Sequence, residues 1–397
     1  MTWHNRAEDA IHRGALTNSK RPECFVKGVY SSHVTRGEGC YLYDTDGKKL
    51  IDFICGLGTN LLGYANTQIN DAVIKQLHKG SVYSLSSTLE VEAAERLKEL
   101  FPFVGKLRFL KTGSEACSAS LRIAMAHTGR TKILSHGYHG HHDHFVSLVP
   151  PAIGVPKMAH MEELWNMGQI DETVAAVIVE PIITSVSEDR FAYIKILQDK
   201  CRKAGALLIF DEIITGFRFP KYSFSNYSGI QPDILLLGKA IGGGLPLSAV
   251  LTRRGIGEKE DWFVSSTFAG DTLALAAMMK TIDLLNNSHR LEDLWDAGER
   301  FVASFNSIAP SIVKLNSYPT RGAFEGEDLN KALFFQESFK AGILFGPSFF
   351  FNFKHIDVTS IVINSCKDIL YRIKNKEVKI EGEMPKKPFA QIQREKT

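Results

Sequence analysis

The sequence predicts an α/β fold with a mostly parallel sheet covered by helices on both faces, together with a smaller α+β unit. Short apolar segments alternate with helical patterns through the middle of the chain, and near-continuous apolar strands separated by helices are typical of a parallel sheet. The 397 residues are 44% hydrophobic, which suffices for one large core or two modest ones. The candidate strands are 107–110, 132–134, 175–179, 206–210 and 234–237.

The elements around these strands follow from local signals. Residues 39–53 alternate in polarity around the turn sequence DTDG (44–47), which predicts a β-hairpin near the start of the chain. Helical patterns cover 115–127 and 192–204, between candidate strands. We therefore expect helices in the crossover connections of the sheet.

One strand should run against the others, and the chain should divide into two domains. The apolar run 248–252 follows the glycine-rich segment 242–246 at once, and so short a connection cannot hold a crossover helix. That strand is therefore predicted to be antiparallel to the one before it. We predict a large domain at 58–283 and a small domain assembled from 1–57 and 284–397, with a charged tail over about the last 20 residues.

Charge and composition exclude several classes of protein. The formal net charge is +3, and residues 374–397 hold seven Lys/Arg against four Asp/Glu, so the chain lacks the basic surface expected for nucleic-acid binding. No apolar run approaches the roughly 20 residues that span a bilayer, so we expect no membrane partner. The six cysteines form no C-x-x-C pair, which favours reduced thiols in a cytoplasmic protein.

Each candidate parallel strand leads directly into a polar or glycine-rich cluster, and ligands bind at this edge of open α/β sheets. The strand that ends at Leu110 leads into KTGSEA (111–116), a glycine turn at the start of a helix. Free backbone N–H groups and the helix dipole predict an anion site there, with Ser114 as a ligand. A plain helix N-cap is the alternative interpretation.

The next cluster is rich in histidine. The strand that ends at Leu134 leads into SHGYHGHHDH (135–144), which holds five of the 13 histidines. Imidazole is the commonest metal ligand, but this glycine-broken loop offers neither a helical i, i+4 pair nor a cysteine partner. We therefore predict no metal site and expect Tyr138 or His139 to stack on a flat ligand.

Charged side chains follow three further strands. Glu180 follows the strand at 175–179, Asp211 follows Phe210, and Lys239 comes soon after Leu237. Taken singly, Asp211 could be a helix cap and Lys239 a surface residue. Together with an anion loop and an aromatic platform, they suit a cofactor with a phosphate, a ring, a protonatable ring nitrogen and an aldehyde. Pyridoxal 5'-phosphate has this set of groups.

In their order and spacing these motifs resemble the class III, fold-type I pyridoxal-phosphate aminotransferases, and within them the branch of the glutamate-1-semialdehyde 2,1-aminomutases. The resemblance covers about residues 39–285. It implies a seven-stranded, mostly parallel sheet and pyridoxal 5'-phosphate as cofactor. The matching sequences are TGSEA (112–116), YHGH (138–141), VEP (179–181), LIFDE (208–212), TGFR (215–218) and GKAIGGGLP (238–246).

The resemblance also implies a role for each matching position. Lys239 forms a Schiff base with the cofactor and moves protons, Asp211 keeps the pyridine nitrogen protonated, and Tyr138 covers one face of the ring. Thr267 reaches the phosphate bound by a neighbouring subunit, which implies an obligate homodimer. The other implied cofactor contacts are Gly113 and Ser114 at the phosphate, Ile213 or Ile214 on the second ring face, and His139. Candidates for substrate contact, by resemblance and position, are Glu180, Arg218 and His33.

The departures from the family pattern concern the substrate. The aminomutases have an arginine for the substrate carboxylate in their N-terminal segment, and no arginine falls in register within 28–37, since Arg36 belongs to the start of the hairpin. The segment 145–173 is shortened, and IITSVSED (182–189) stands where the family has an Asn-x-Gly phrase. We therefore expect an acceptor other than glutamate semialdehyde.

Three functional hypotheses follow. The leading one is an aminotransferase that moves an amino group from an amino-acid donor to an aldehyde or ketone in a biosynthetic pathway. The close alternative is the intramolecular aminomutase that yields 5-aminolevulinate. A non-catalytic relic that keeps only the fold is the third, and the presence of Asp211, Lys239, Ser114 and Thr267 together argues against it.

Overall fold

A computed structural model describes residues 2–386 of the chain and shows two compact units. The large unit is Thr67–Glu292, and the described part of the small unit comprises 2–66 and 293–386. The boundaries predicted from the sequence were 57/58 and 283/284. Residues 387–397, which include half of the predicted charged tail, lie outside the described part of the chain.

The strands and helices of the described residues are numbered here in chain order. The strands are β1 (Val34–Glu38), β2 (Tyr41–Asp44), β3 (Lys49–Asp52), β4 (Val104–Leu110), β5 (Lys132–His136), β6 (Met161–Glu163), β7 (Val174–Val179), β8 (Leu207–Glu212), β9 (Ile234–Leu237), β10 (Ser248–Arg253), β11 (Lys314–Tyr318), β12 (Arg321–Glu325), β13 (Ile343–Leu344) and β14 (Ser348–Phe350). The helices are α1 (Trp3–Ala10), α2 (Cys55–Gly58), α3 (Thr67–Leu77), α4 (Thr88–Leu100), α5 (Gly113–Thr128), α6 (Asp143–Val146), α7 (Glu188–Ala204), α8 (Phe224–Ser228), α9 (Thr272–Asn287), α10 (Leu291–Asn306), α11 (Asp328–Lys340) and α12 (Thr359–Lys374).

The large unit is built on a seven-stranded sheet in the order β4-β10-β9-β8-β7-β5-β6. Strand β10 pairs antiparallel with both β4 and β9, and the pairs from β9 to β6 are parallel, so the predicted fold class and the antiparallel strand are confirmed. All six residues of β7 and all four of β9 are buried, because helices cover both faces of a parallel sheet.

The register of the parallel strands brings their carboxyl ends to one edge. His136 of β5 pairs with Val179 of β7, and Glu212 of β8 pairs with Leu237 of β9. The residues that follow these positions are the glycine loop after β5, Glu180 after β7 and Lys239 after β9. The polar clusters expected from the sequence therefore lie along one edge of the sheet.

The small unit contains a four-stranded sheet, β1-β2-β3-β13, and a three-stranded sheet, β11-β12-β14. The predicted hairpin is present as the antiparallel pair β2–β3, with Gly47 at φ 83° in its turn. The core of this unit is strongly aromatic, and Phe53 stacks on His355 with ring centroids 4.0 Å apart and on Phe301 at 5.4 Å.

Two further features bear on the sequence predictions. Arg36 lies in β1, where its guanidinium covers the ring of Tyr43 at 3.5 Å and bonds to Glu38 at 2.9 Å. Within residues 2–386, no helix combines the length and the apolar character that crossing a bilayer demands.

Candidate active site

Asp211, near the carboxyl end of β8, is a buried carboxylate with three partners at this edge. It is 5% exposed, and its Oδ2 lies 2.7 Å from Nδ1 of His139 and 3.5 Å from Sγ of Cys117. Its Oδ1 accepts the backbone N–H of Ile213 at 3.1 Å. The chain forms a turn after Glu212, not a helix, so the helix-cap interpretation of Asp211 does not apply. A buried carboxylate held in this way is ready to receive a cationic N–H group.

His139 is the partner that fixes Asp211. Its Nε2 lies 3.1 Å from the carbonyl oxygen of His136, which can only accept a hydrogen bond. Its Nδ1 faces the Asp211 carboxylate, and its side chain has no exposed surface. The sequence suggested that His139 could stack on a ligand, whereas these bonds hold its ring in line with Asp211.

Cys117 lies on the buried face of α5, one turn after Ser114. Burial, and then the neighbouring Asp211 charge, raise the pKa of its thiol well above the usual value, while the Lys239 charge opposes this effect. Donor atoms of Cys117, His139 and Asp211 lie within 4.8 Å of one another, close enough to hold a metal ion. A metal would require the thiolate, which this environment disfavours, so the absence of a metal remains our prediction.

The first turn of α5 has the geometry predicted for an anion site. Thr112 and Glu115 make a capping box, and the helix begins at Gly113 with Ser114 buried behind it. The Ser114 hydroxyl accepts the N–H of His141 at 3.1 Å and lies 3.0 Å from Nδ1 of the same residue. Backbone N–H groups at the start of a 16-residue helix suit a phosphate.

The glycine loop 136–141 joins these groups to one another. Gly140 has φ 99°, and a Cβ there would lie 2.2 Å from the Ser114 hydroxyl, so only glycine allows this approach. Gly137 has φ 112°, and its Cβ would lie 2.7 Å from Oε2 of Glu180. That Glu180 oxygen accepts the backbone N–H of Tyr138 at 3.0 Å. The loop therefore connects the end of β7 and the start of α5.

The remaining positions lie around this loop. Ile213 is buried, and its side chain packs against both Gly113 and Gly238. A Cβ on Gly113 would lie 3.1 Å from the Ile213 side chain, and a Cβ on Gly238 would lie 2.8 Å from it. Ile214 is half-buried. Of the two isoleucines, Ile213 thus lies between the anion site and the strand end that leads to Lys239.

Lys239 has a backbone conformation that supports a functional role. It is half-buried, directly follows Gly238 after β9, and has φ 46°, in the left-handed region that a lysine rarely adopts. Strain of this kind costs about 1–3 kcal/mol and clusters at functional sites. Lys221 shares it at φ 58°, so the conformation supports a role for Lys239 only together with its position at the sheet edge.

The other candidates occupy different surroundings. Arg218 is fully buried in the turn segment after β8, and Thr267 is exposed in the loop between β10 and α9. His33 belongs to the small unit, where its ring contacts Trp3 at a centroid distance of 6.2 Å. All the predicted cofactor residues on β5–β9 and α5 therefore lie in the large unit.

Two residues at this edge escaped the sequence interpretation. Cys117 could have been found from helical spacing, since it stands three positions after Ser114 on the same helix. Arg190 of α7 donates from Nε to the carbonyl oxygen of Pro181 at 2.8 Å and from Nη2 to that of Glu180 at 3.0 Å. No local sequence signal marks an arginine that bonds to backbone nine or ten positions earlier.

The residues present fit pyridoxal 5'-phosphate. The chemistry of the donor set matches the cofactor group by group, with a buried carboxylate for a ring N–H, a helix N-terminus for a phosphate and a lysine for an aldehyde. The close approaches at Gly113 and Gly140 leave backbone rather than side chain at the start of α5, as a phosphate site requires. Fold and site together define a fold-type I pyridoxal-phosphate enzyme.

Comparisons with known proteins support the same class of enzyme. The model of the family described as aminotransferase class-III matches residues 26–157 and 152–349, and the chain belongs to this family. Class III aminotransferases are enzymes that use pyridoxal 5'-phosphate, and this is the cofactor of the chain.

Individual relatives fall in the predicted branch. The chain is 31% identical to the glutamate-1-semialdehyde 2,1-aminomutase of Syntrophobacter fumaroxidans, over 81% of this chain and 85% of the relative. It is 33% identical to the protein of the same name from Symbiobacterium thermophilum, over 75% of each. Among solved structures, the FumI protein of Sphingopyxis sp. MTA144 superposes with a TM-score of 0.87 at 23% identity, covering 96% of this chain and 98% of that one.

Proposed function

We propose that this enzyme is an aminotransferase that carries an amino group from an amino-acid donor to an aldehyde or ketone acceptor in a biosynthetic pathway. The observation that carries the proposal is the convergence of Asp211, Lys239 and the start of α5 at one sheet edge within one unit. A fold-only relic would not need a strained lysine or a buried, hydrogen-bonded carboxylate there.

When bound, the cofactor supplies an electron sink that stabilises negative charge at the substrate Cα. Asp211 accepts the ring N–H and so keeps the proton at the pyridine nitrogen, while His139 Nδ1 holds the carboxylate in place at 2.7 Å. Lys239 would hold the cofactor aldehyde through Nζ, and its side chain, as a free amine, would accept and donate the proton at the substrate Cα. Ile213 and Tyr138 would cover the two faces of the bound ring and exclude water.

Lys239 is tested by covalent trapping. Borohydride reduction followed by intact-mass measurement should add one pyridoxyl phosphate to the wild-type protein and none to Lys239→Ala, and the variant should lose turnover. Lys221→Ala, another lysine of positive φ in the large unit, serves as a matched control and should label normally. A Lys239→Ala protein that still labels stoichiometrically and transaminates would refute this assignment.

The reaction class is tested by the donor half-reaction. Amino acids are added one at a time to the holoenzyme, and a productive donor abolishes the visible band of the lysine-bound cofactor while its keto acid appears. We expect at least one common amino acid to do so. An enzyme whose spectrum no amino acid changes would contradict an intermolecular aminotransferase with an amino-acid donor.

The aminomutase reaction is the second candidate, because both curated relatives reported above carry that name. Against it stands the lack of an arginine in register within 28–37, where Arg36 bonds to Glu38. Glutamate semialdehyde with substoichiometric pyridoxamine phosphate separates the two candidates. Formation of 5-aminolevulinate without any other donor would reverse our order of preference.

The roles of the remaining positions are part of the proposal. We infer a cytoplasmic homodimer in which Thr267 serves the phosphate of the neighbouring active site. The exposure of Thr267 in the single chain is compatible with a role at the neighbouring active site. The six free thiols are compatible with a cytoplasmic location. Arg218 and His33 stay candidates for substrate contact, and the Glu180 carboxylate bonds to the loop that carries Tyr138.

A further inference from the structure

Arg190 of α7 grips two successive carbonyl groups of the chain. Its Nε donates to Pro181 O at 2.8 Å and its Nη2 to Glu180 O at 3.0 Å, and its guanidinium lies 5.0 Å from the ring centre of Tyr193. A guanidinium presents several donors in one rigid plane, which suits two acceptors side by side, whereas a lysine ammonium is a single point of charge. Arg190 thus fixes the peptide direction where β7 ends.

The residue held in this way, Glu180, is attached to the glycine loop by both its backbone and its side chain. Its N–H donates to His136 O at 3.3 Å, and its Oε2 accepts the Tyr138 N–H at 3.0 Å. The carboxylate is 5% exposed. It also fills the space beside Gly137, where a Cβ would lie 2.7 Å from Oε2. Glu180 therefore acts on the backbone of Tyr138.

We propose that Arg190 is a positioning residue for the Tyr138 platform and that it acts through Glu180. Arg190 holds the carbonyl groups of Glu180 and Pro181 and so fixes the backbone from which the Glu180 carboxylate reaches the Tyr138 N–H. That bond in turn sets the position of the Tyr138 backbone and thereby of its ring. The inference rests on the proposed function in one respect, because it takes Tyr138 to be a face of the cofactor site. Glu180 is then a support of the ring platform instead of a substrate contact.

Arg190 follows a segment in which the sequence departs from the family pattern. IITSVSED (182–189) stands where the resembling family has an Asn-x-Gly phrase, and α7 begins within this segment at Glu188, with Arg190 in its first turn. The Ser187 side chain accepts the Arg190 N–H at 3.1 Å and so caps the helix at that turn. The segment thus places the Arg190 guanidinium at the end of β7.

Cofactor binding to the apoenzyme measures the effect. Arg190→Lys and Arg190→Met should each weaken the affinity for pyridoxal 5'-phosphate by about tenfold, the usual effect of one or two hydrogen bonds to a charged group. Both should also reduce the visible circular dichroism of the bound cofactor, which reports ring orientation. Arg202→Met, a largely exposed arginine on the same helix, should change neither. Unchanged affinity and dichroism in the Arg190 variants would overturn the proposal.

A double-mutant cycle identifies the route. Glu180→Ala should reproduce the effect of Arg190→Met, Glu180→Gln should retain most of the affinity because its amide oxygen still accepts the Tyr138 N–H, and the double variant should be little weaker than either single one. Additive losses would overturn action through Glu180. Melting temperatures of the apoproteins show whether a variant has lost only the support of Tyr138 or the stability of the whole fold. Failure of the proposed function itself would show differently, as a wild-type protein that does not bind the cofactor.

Discussion

Glu212, the residue after Asp211, is a carboxylate without exposed surface. It accepts the N–H groups of Phe224 at 2.7 Å and Ser225 at 2.9 Å and the hydroxyl of Thr215 at 2.9 Å, so it closes the turn segment after β8 and caps α8. Burial nevertheless raises its pKa from 4.5 to about 7, against the lowering effect of these bonds.

The raised pKa of Glu212 predicts how stability depends on pH. Between pH 4.5 and 7 the folded protein keeps a proton that the unfolded chain releases, so unfolding free energy falls as pH rises, by about 1.4 kcal/mol per unit of pKa difference. Glu212→Gln loses an acceptor but does not titrate. The melting-temperature advantage of wild type over Glu212→Gln should therefore shrink from pH 5 to pH 8. Glu172→Gln, at an exposed position, is the control, and a difference between wild type and Glu212→Gln that stayed constant across this pH range would contradict the assignment.

At this scale the sequence predicts the groups that carry chemistry better than those that hold them. Asp211 and Lys239 could be found because each stands at the end of an apolar strand, where a charge is conspicuous. Arg190 could not, because an arginine in a solvent-facing pattern looks ordinary, and Cys117 could be found only from its helical spacing to Ser114. Their partners, the Asp211 carboxylate and the 180–181 carbonyls, are distant along the chain.

The glycine loop 136–141 is the element on which the site depends. It carries Tyr138, bonds to Asp211 through His139 and closes on α5 through the Ser114 hydroxyl. Gly140 makes the last contact possible, since a Cβ would lie 2.2 Å from that hydroxyl and 2.8 Å from the Ser114 Cα. The Ser114 backbone would have to move to accept a larger residue.

Gly140→Ala should therefore weaken cofactor binding by disturbing the start of α5. Gly154→Ala is the matched control, because Gly154 also has positive φ, 80°, but has nothing within 4 Å of its Cβ position. Both variants incur the backbone penalty of about 1 kcal/mol, and Gly140→Ala alone adds the clash. Titration of the apoproteins with pyridoxal 5'-phosphate should show at least about tenfold weaker binding for Gly140→Ala than for Gly154→Ala. Equal affinities would argue against a phosphate at this helix.

Elements were predicted where their signal was long and buried. The strands β7 and β9 are entirely apolar and β8 is apolar up to Phe210, and α5 and α7 lie where helical spacing indicates them. Strand β6 was missed because its three residues, Met161–Glu163, lie at the sheet edge and include two glutamates. Strand β1 has an exposed, glycine-containing sequence, VTRGE, whose pairing partner β2 alone reveals it.

The whole molecule has an apolar surface patch next to Thr267, defined here as Leu85, Val91, Phe263 and Phe268. Their exposed fractions are 85%, 57%, 78% and 57%. The chain segments that carry them adjoin, since the Thr272 N–H donates to Ser81 O at 2.9 Å and Val91 and Gly270 line one groove. Exposed apolar side chains on neighbouring segments are typical of an interaction site, which the proposed homodimer would cover.

Phe268→Asp should therefore convert a dimer into a monomer, because a buried, unpaired carboxylate at an interface is strongly unfavourable. Sedimentation velocity should show the change in mass, with Ile196→Asp as the control, since Ile196 is a 53% exposed residue of α7 outside the patch.

Thr267→Ala separates assembly from cofactor binding. It should remain dimeric and bind pyridoxal 5'-phosphate about tenfold more weakly, as expected when one hydrogen bond to a charged phosphate is lost. If monomeric Phe268→Asp protein bound the cofactor as tightly as wild type, Thr267 would not serve a neighbouring site, and a Phe268→Asp protein that stayed dimeric would place the interface elsewhere.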